Sequence, residues 1–175
     1  MSPTSVIDSA QLMPGQRVAD FGSGHGYFVM EMAQRVGPSG RVYAVDVRPE
    51  ALEAALNKAA LQGLQNVEGV LTNLELPGST GLRDASLDLV LISNLLHQVR
   101  DQEAVVFEAQ RILKEKGTLM VIGWMPHTKL APAGNHLSPD QVNHIAITAG
   151  FEYASSLDCG AYHWGLIFNK KPRGY

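Results

Sequence analysis

The chain has 175 residues, 45% of them hydrophobic, which is enough for one core and too little for two, so residues 1–175 are expected to form one domain with its core over about 14–169. Seventeen acidic against fourteen basic residues give a net charge of -3, and no stripe of Lys and Arg suits a phosphate backbone, so nucleic acid is not the expected partner. One cysteine, Cys159, excludes an internal disulfide, and the absence of both a basic-then-apolar leader and a long apolar run predicts a soluble, cytoplasmic protein with no transmembrane segment.

The first apolar run, Arg17 to Phe21, predicts a strand buried on both faces, followed by a loop in which Gly22, Gly24 and Gly26 alternate. Tyr27 and Phe28 lead into a first helix. A second strand, Arg41 to Val45, stops before Asp46, and a helix follows over Glu50 to Gln62, with Leu52, Ala55, Leu56 and Ala59 on one face and Gly63 as its stop. Further strands are predicted at Asn66 to Leu71 and Leu87 to Ser93. Asp101 is a candidate cap for a helix carrying Ala104, Val105, Glu108 and Ile112, whose last turn would hold Lys114 and Lys116 before Gly117.

Thr118 to Gly123 predicts the fifth strand, and the connection Met125 to Leu137, with Pro126, Pro132 and Gly134, is irregular. Ser138-Pro139-Asp140-Gln141 combines an N-cap serine, a proline at the first helical position and a glutamine at the third, and Gly150 ends that helix. Phe151 to Leu157 and Ala161 to Asn169, joined through Asp158-Cys159-Gly160, predict a closing antiparallel hairpin. Strands alternating with helices imply right-handed crossovers. The predicted fold class is α/β: a Rossmann-like, doubly wound, mostly parallel seven-stranded sheet with an antiparallel C-terminal hairpin.

In such a sheet, ligands bind beyond the carboxyl ends of the strands, where the first strand turns into its helix. Glycines there let a ligand approach the backbone closely. Asp46 ends the second strand roughly twenty residues on, the place from which an acid accepts the two hydroxyls of a ribose. A dinucleotide site would carry G-x-G-x-x-G, yet the third glycine comes one residue early. Asp20 beside the loop would repel pyrophosphate and attract an ammonium or sulfonium, so the pattern points to a nucleoside whose other end is cationic.

These residues, VADFGSGHGYF followed by VYAVDV, resemble the class I S-adenosylmethionine-dependent methyltransferases. The stretches NVEGVLTNLELP, LDLVLISNLLHQV, RILKEKGTLMVIGW and LSPDQVNHIAITAGF resemble the later elements of that superfamily, so the likeness runs from about Pro14 to Asn169. SNLLHQV looks most like the subgroup of quinone-biosynthesis C-methyltransferases and other small-molecule enzymes. The resemblance implies S-adenosylmethionine as cofactor, S-adenosylhomocysteine as product and a small-molecule or lipid-like acceptor methylated in line without a metal. It implies that Gly22, Ser23, Gly24 and Gly26 form the cofactor loop, the first three along the amino-acid part, with Asp20 near the ammonium. Asp46 would take the ribose hydroxyls, Val47 would pack on the adenine, Asn73 and Leu74 would read its edge, and Asn94 would sit beside the methionine part or the methyl group. Many relatives have an aspartate where Asn73 stands; the Asn carbonyl would accept from the adenine amine in its place.

Among the six histidines, His97, just after the fourth strand, is either a general base or a ring packed under the loop. His127, after Trp124 and Met125, is either a proton acceptor facing the acceptor or an exposed loop residue. His25 is a variable loop position, and His136, His144 and His163 lack metal-ligand spacing, so no metal site is expected. Tyr162 and Trp164 alternate on the last strand, packed on the sheet or facing the acceptor. With only Met1 to Met13 and Met125 to Leu137 available as cover, an open acceptor pocket is expected, completed by a homodimer or a partner chain. Two rival functions are a cofactor-binding sensor or non-catalytic subunit of a heteromeric methyltransferase, and a nicotinamide-dependent oxidoreductase, which the early third glycine and Asp20 oppose.

Overall fold

Apolar runs without polar alternation become strands covered on both sides. The computed structural model describes residues 1–125, 128–132 and 134–172. Its elements in chain order are α1 Pro3–Ser9, β1 Arg17–Phe21, α2 Val29–Val36, β2 Arg41–Asp46, α3 Pro49–Leu61, β3 Val67–Leu71, β4 Leu87–Ser93, α4 Gln102–Ile112, β5 Leu113–Trp124, α5 Pro139–Thr148, β6 Phe151–Leu157 and β7 His163–Lys170. They form a seven-stranded sheet in the order β3-β2-β1-β4-β5-β7-β6. Pairing is parallel from β3 through β5, and β7 runs antiparallel to both β5 and β6. The fold class expected from the sequence is the observed one.

Adjacent residues on β1 feed opposite cores, as the two-residue period of a strand requires. Val18 packs with Val29, Met32, Val42 and Leu89 on one side. Ala19 and Phe21 join Val45, Ile92, Ile112 and Phe168 on the other. Burying each such Val, Leu, Ile or Phe contributes about 1.5–3 kcal/mol, so the two layers clamp the sheet from both faces. The order of strand addition reverses between β1 and β4, which run parallel to each other, and a crevice opens at their carboxyl ends.

The helix starts follow their side chains. Asp101 accepts from the Ala104 N–H at 2.9 Å to open α4. Ser138 and Gln141 close a reciprocal capping box at α5, with Pro139 at its first position. The end of α4 differs from expectation. It stops at Ile112, and Lys114 and Lys116 lie in β5 rather than in a last helical turn. Leu113 is fully buried and pairs with Leu87, which draws the chain into the sheet, and Lys114 Nζ reaches Asp88 Oδ1 at 2.6 Å. The helix end is served from far along the chain by Lys170, whose Nζ donates to the carbonyls of Gln110 at 2.6 Å and Leu113 at 2.7 Å.

α1 has no counterpart in the periodicity reading, since seven residues are too few to show a repeat. It starts at Ser2, whose Oγ accepts from the Ser5 N–H, carries Pro3 at its first position, and buries Val6 and Ile7. No helix among the described residues is long and apolar enough to cross a membrane.

Candidate functional site

The crevice is built from the glycine loop outward. The N–H groups of Gly22 and Ser23 both donate to the Val45 carbonyl, at 2.8 and 3.0 Å, which ties the loop to the end of β2. Gly22 has φ +75°, and a Cβ there would lie 3.0 Å from Leu95, so both the turn and the close packing require glycine. Gly26 turns the other way: it packs on Ala55 and Met30 and lines neither part of the crevice. Ser23 is buried and its Oγ has no hydrogen-bond partner.

Two acids flank this loop in different states. Asp20 is 2% exposed, and burial, followed by repulsion from Asp46, pushes its carboxyl up to about 7. Asp46 is also buried, which would raise its pKa, but hydrogen bonds from the Arg48 side chain and from the N–H groups of Arg48 and Gly24 outweigh that and hold it below the usual carboxylate range. It is therefore an ionised acceptor at neutral pH.

The crevice has two halves. Asp46, Val47, Arg48, Asn73 and Leu74 line one. Asp20, Ser23, Gly24, Asn94, Trp124 and His163 line the other, and Gly22 and Gln98 belong to both. Nine of the ten expected cofactor residues thus line one continuous crevice, with Gly26 behind it. Asn73 brings a restriction, because its Oδ1 already accepts from the Glu75 N–H at 3.0 Å. Asn94 takes φ +53°, a conformation asparagine tolerates, with its N–H on the Ile122 carbonyl and its Oδ1 buried without a partner. Gln98 Nε2 donates to the Asn94 carbonyl at 2.7 Å and holds that turn.

His97 is buried, stacked on His136 with ring centroids 4.7 Å apart, and its carbonyl accepts from the Asn135 N–H. Burial, then the charge of His136, lowers its pKa. It lines a small pocket behind Asn94 and Trp124. His127 lies outside the described residues. Among those described, no three His, Cys, Asp or Glu side chains are gathered as a metal site. Arg48, Gln98 and His163 line the crevice without having been singled out for it from sequence; His163 comes there by pairing with Trp124 in the antiparallel β5–β7 register, which no local signal announces.

A family model described as a methyltransferase domain matches residues 12–154. The chain belongs to that methyltransferase-domain family. Its methyltransferase domain is 29% identical over 133 residues to an arsenite methyltransferase of Halobacterium salinarum, covering 76% of this chain and 33% of that protein. It is 32% identical over 117 residues to a ubiquinone/menaquinone biosynthesis C-methyltransferase of Hydrogenovibrio crunogenus, covering 66% and 45%. A crystal structure of a SAM-dependent methyltransferase from Aquifex aeolicus superposes with a TM-score of 0.84 at 26% identity, covering 95% of this chain and 88% of that one. The methyltransferase-domain chain spans less than half the length of these two curated relatives.

Proposed function

We propose that the chain, read as one domain, transfers a methyl group from S-adenosylmethionine to a small-molecule acceptor, without a metal. The observation that carries this reading is the pair of acids around one glycine loop: Asp46 ionised at the end of β2, Asp20 buried at the end of β1. In this reading Asp46 accepts from both ribose hydroxyls, Val47 and Leu74 flank the adenine, and Gly22 and Gly24 let the cofactor backbone lie against the loop. The buried Ser23 Oγ, without a partner, is free for the amino-acid part. Asp20 supplies the charge complement of an ammonium and a sulfonium. The same carboxylate would oppose a pyrophosphate, which disfavours a nicotinamide cofactor.

The bound sulfonium supplies an activated methyl group. What the protein contributes is alignment of the acceptor with that methyl and exclusion of water, which together account for most of the acceleration in such a displacement. Its residues do not suit a thiophilic ion as acceptor. Soft centres select thiolates, whereas the one thiol of these 175 residues, Cys159, is buried, and burial pushes it up to about 11. A carbon, oxygen or nitrogen acceptor is the better match.

The deciding experiment is a calorimetric titration of S-adenosylhomocysteine into the protein and into Asp46→Ala. Micromolar binding that the variant loses supports the reading. No binding to the wild-type chain overturns it.

A further inference from the structure

The crevice wall facing the glycine loop carries groups that cofactor binding leaves unused. Trp124 ends β5 and His163 opens β7, directly opposite each other in the antiparallel register. Their rings lie 4.1 Å apart at 35°, so each restricts the other's rotation. Trp124 Nε1, His163 Nδ1 and Asn94 Oδ1 are all buried without a hydrogen-bond partner. An orphaned buried polar group is destabilising and uncommon in native proteins, so three in one wall call for a ligand or a function.

Their chemistry restricts the ligand. An indole N–H only donates, an amide oxygen only accepts, and an imidazole does either. A hydroxyl, which both donates and accepts, matches that set. No Lys or Arg side chain is among the described residues lining this half of the crevice; beside the amino group of Met1 it carries the acid Asp20, which opposes an anionic acceptor. The stacked indole and imidazole, with Tyr27 and Phe28 nearby in edge-to-face contact, offer flat apolar surface suited to a planar molecule.

We propose that Asn94, Trp124 and His163 form the acceptor subsite, that it takes an uncharged planar molecule with a phenolic or enolic hydroxyl, and that the His163 imidazole receives the hydroxyl proton. The proposal rests on the reading of the crevice as an S-adenosylmethionine site. The O–H bond breaks as an N–H bond forms on the imidazole. The electron pair left on oxygen makes the new O–C bond, the pair of the broken S–C bond stays on the cofactor sulfur, and the imidazolium later returns its proton to water. Burial, then the Met1 amino group, lowers the His163 pKa, which keeps the ring in its proton-accepting form at neutral pH. The other titratable groups lining this half are Asp20, His25 and Tyr27.

The test uses 4-nitrophenol, whose phenolate absorbs visibly, in mildly acidic buffer, with and without S-adenosylhomocysteine. Binding is expected to raise the phenolate band and to move the His163 ring nitrogens to their doubly protonated NMR positions. His163→Gln should lower the band and the probe affinity by about tenfold, with S-adenosylhomocysteine affinity held within about twofold. Probe that does not bind, or that binds as the neutral phenol with His163 unchanged, overturns the proposal. So does an unaltered band in His163→Gln. Wild-type protein that fails to bind S-adenosylhomocysteine overturns the underlying cofactor reading as well, and the calorimeter separates that failure from the first.

Discussion

Arg48 holds Asp46 by both carboxylate oxygens: Nε donates to Oδ1 at 3.2 Å and the guanidinium NH2 to Oδ2 at 3.4 Å. The N–H groups of Arg48 and Gly24 donate to the same two oxygens at 3.0 and 2.8 Å. The amides are fixed by the backbone, whereas the Arg48 side chain is 53% exposed and free to swing away. Under the proposed reading, a ribose arriving at Asp46 would exchange with the guanidinium and leave the amides in place. Asp46→Ala should weaken S-adenosylhomocysteine binding by about 2–3 kcal/mol, roughly 30- to 150-fold, as for hydrogen bonds to a charged group. Arg48→Ala should change it by less than about threefold, because its loss is compensated by a vacated site. Equal losses in the two variants would show that the guanidinium stays in the complex.

Asp20 should set a pH dependence of stability. Its folded pKa, about 7, lies above the ordinary carboxylate value of 3.8, so the native state holds the proton more tightly than the unfolded chain. The contribution is complete below about pH 4 and declines as pH rises through about 7, the opposite of a salt-bridged carboxylate. Asp20→Asn removes the charge that has to be buried. The variant should exceed wild type near pH 8 by up to about 4 kcal/mol and match it near pH 4. Thermal melts at the two pH values, together with loss of S-adenosylmethionine binding in the variant, check this. Parallel pH profiles would sink it.

Asn73 Oδ1 accepts from the Glu75 N–H, which leaves one lone pair of that oxygen, beside the N–H groups, to offer an adenine edge. Asn73→Asp keeps one oxygen for Glu75 and frees the other to accept from an exocyclic amine. S-adenosylhomocysteine should bind about three- to tenfold more tightly to the variant, a gain of one modest hydrogen bond. Weaker binding would mean that adenine is read elsewhere.

Two glycines of the loop should respond unequally to a methyl group. At Gly22, φ is +75° and the new Cβ meets Leu95 at 3.0 Å; at Gly24, φ is +51° and the nearest atom is a guanidinium nitrogen of Arg48 at 3.7 Å. Backbone strain alone costs about 1–2 kcal/mol at either place, and Gly22→Ala adds a packing clash, so it should lose about 2–3 kcal/mol against about 1 for Gly24→Ala. Urea unfolding of the two variants gives the comparison. A larger loss at Gly24 would contradict the packing described.

Much of the fold is legible in local pattern, because the elements that the sequence announces carry their own signals. The capping box at Ser138, the aspartate cap at Asp101 and the buried runs of β1 and β4 all act within a few residues of themselves. The misplaced end of α4 is of another kind. Lys114 looks like a helix-terminal cation until Leu113 finds Leu87 across the sheet, and the charge that serves the carbonyls comes from Lys170, beyond the reach of any window. The site divides the same way. Asp20, Gly22, Gly24 and Asp46 could be found by spacing, whereas the exchange at Arg48, the occupied carbonyl of Asn73 and the Trp124–His163 pair depend on which strand ends become neighbours.

The two halves of the crevice share Gly22 and Gln98 and the turn after β4, but each has a wall of its own. Asp46 to Leu74 shape one half, while Asn94, Trp124 and His163 wall the other from later strands. Inheritance can therefore treat those walls separately: Trp124 and His163 lie outside the half to which the proposed reading assigns the nucleoside. A lineage could change what it modifies while keeping what it modifies with, and a mutant library confined to those later strand ends is the laboratory version of that drift.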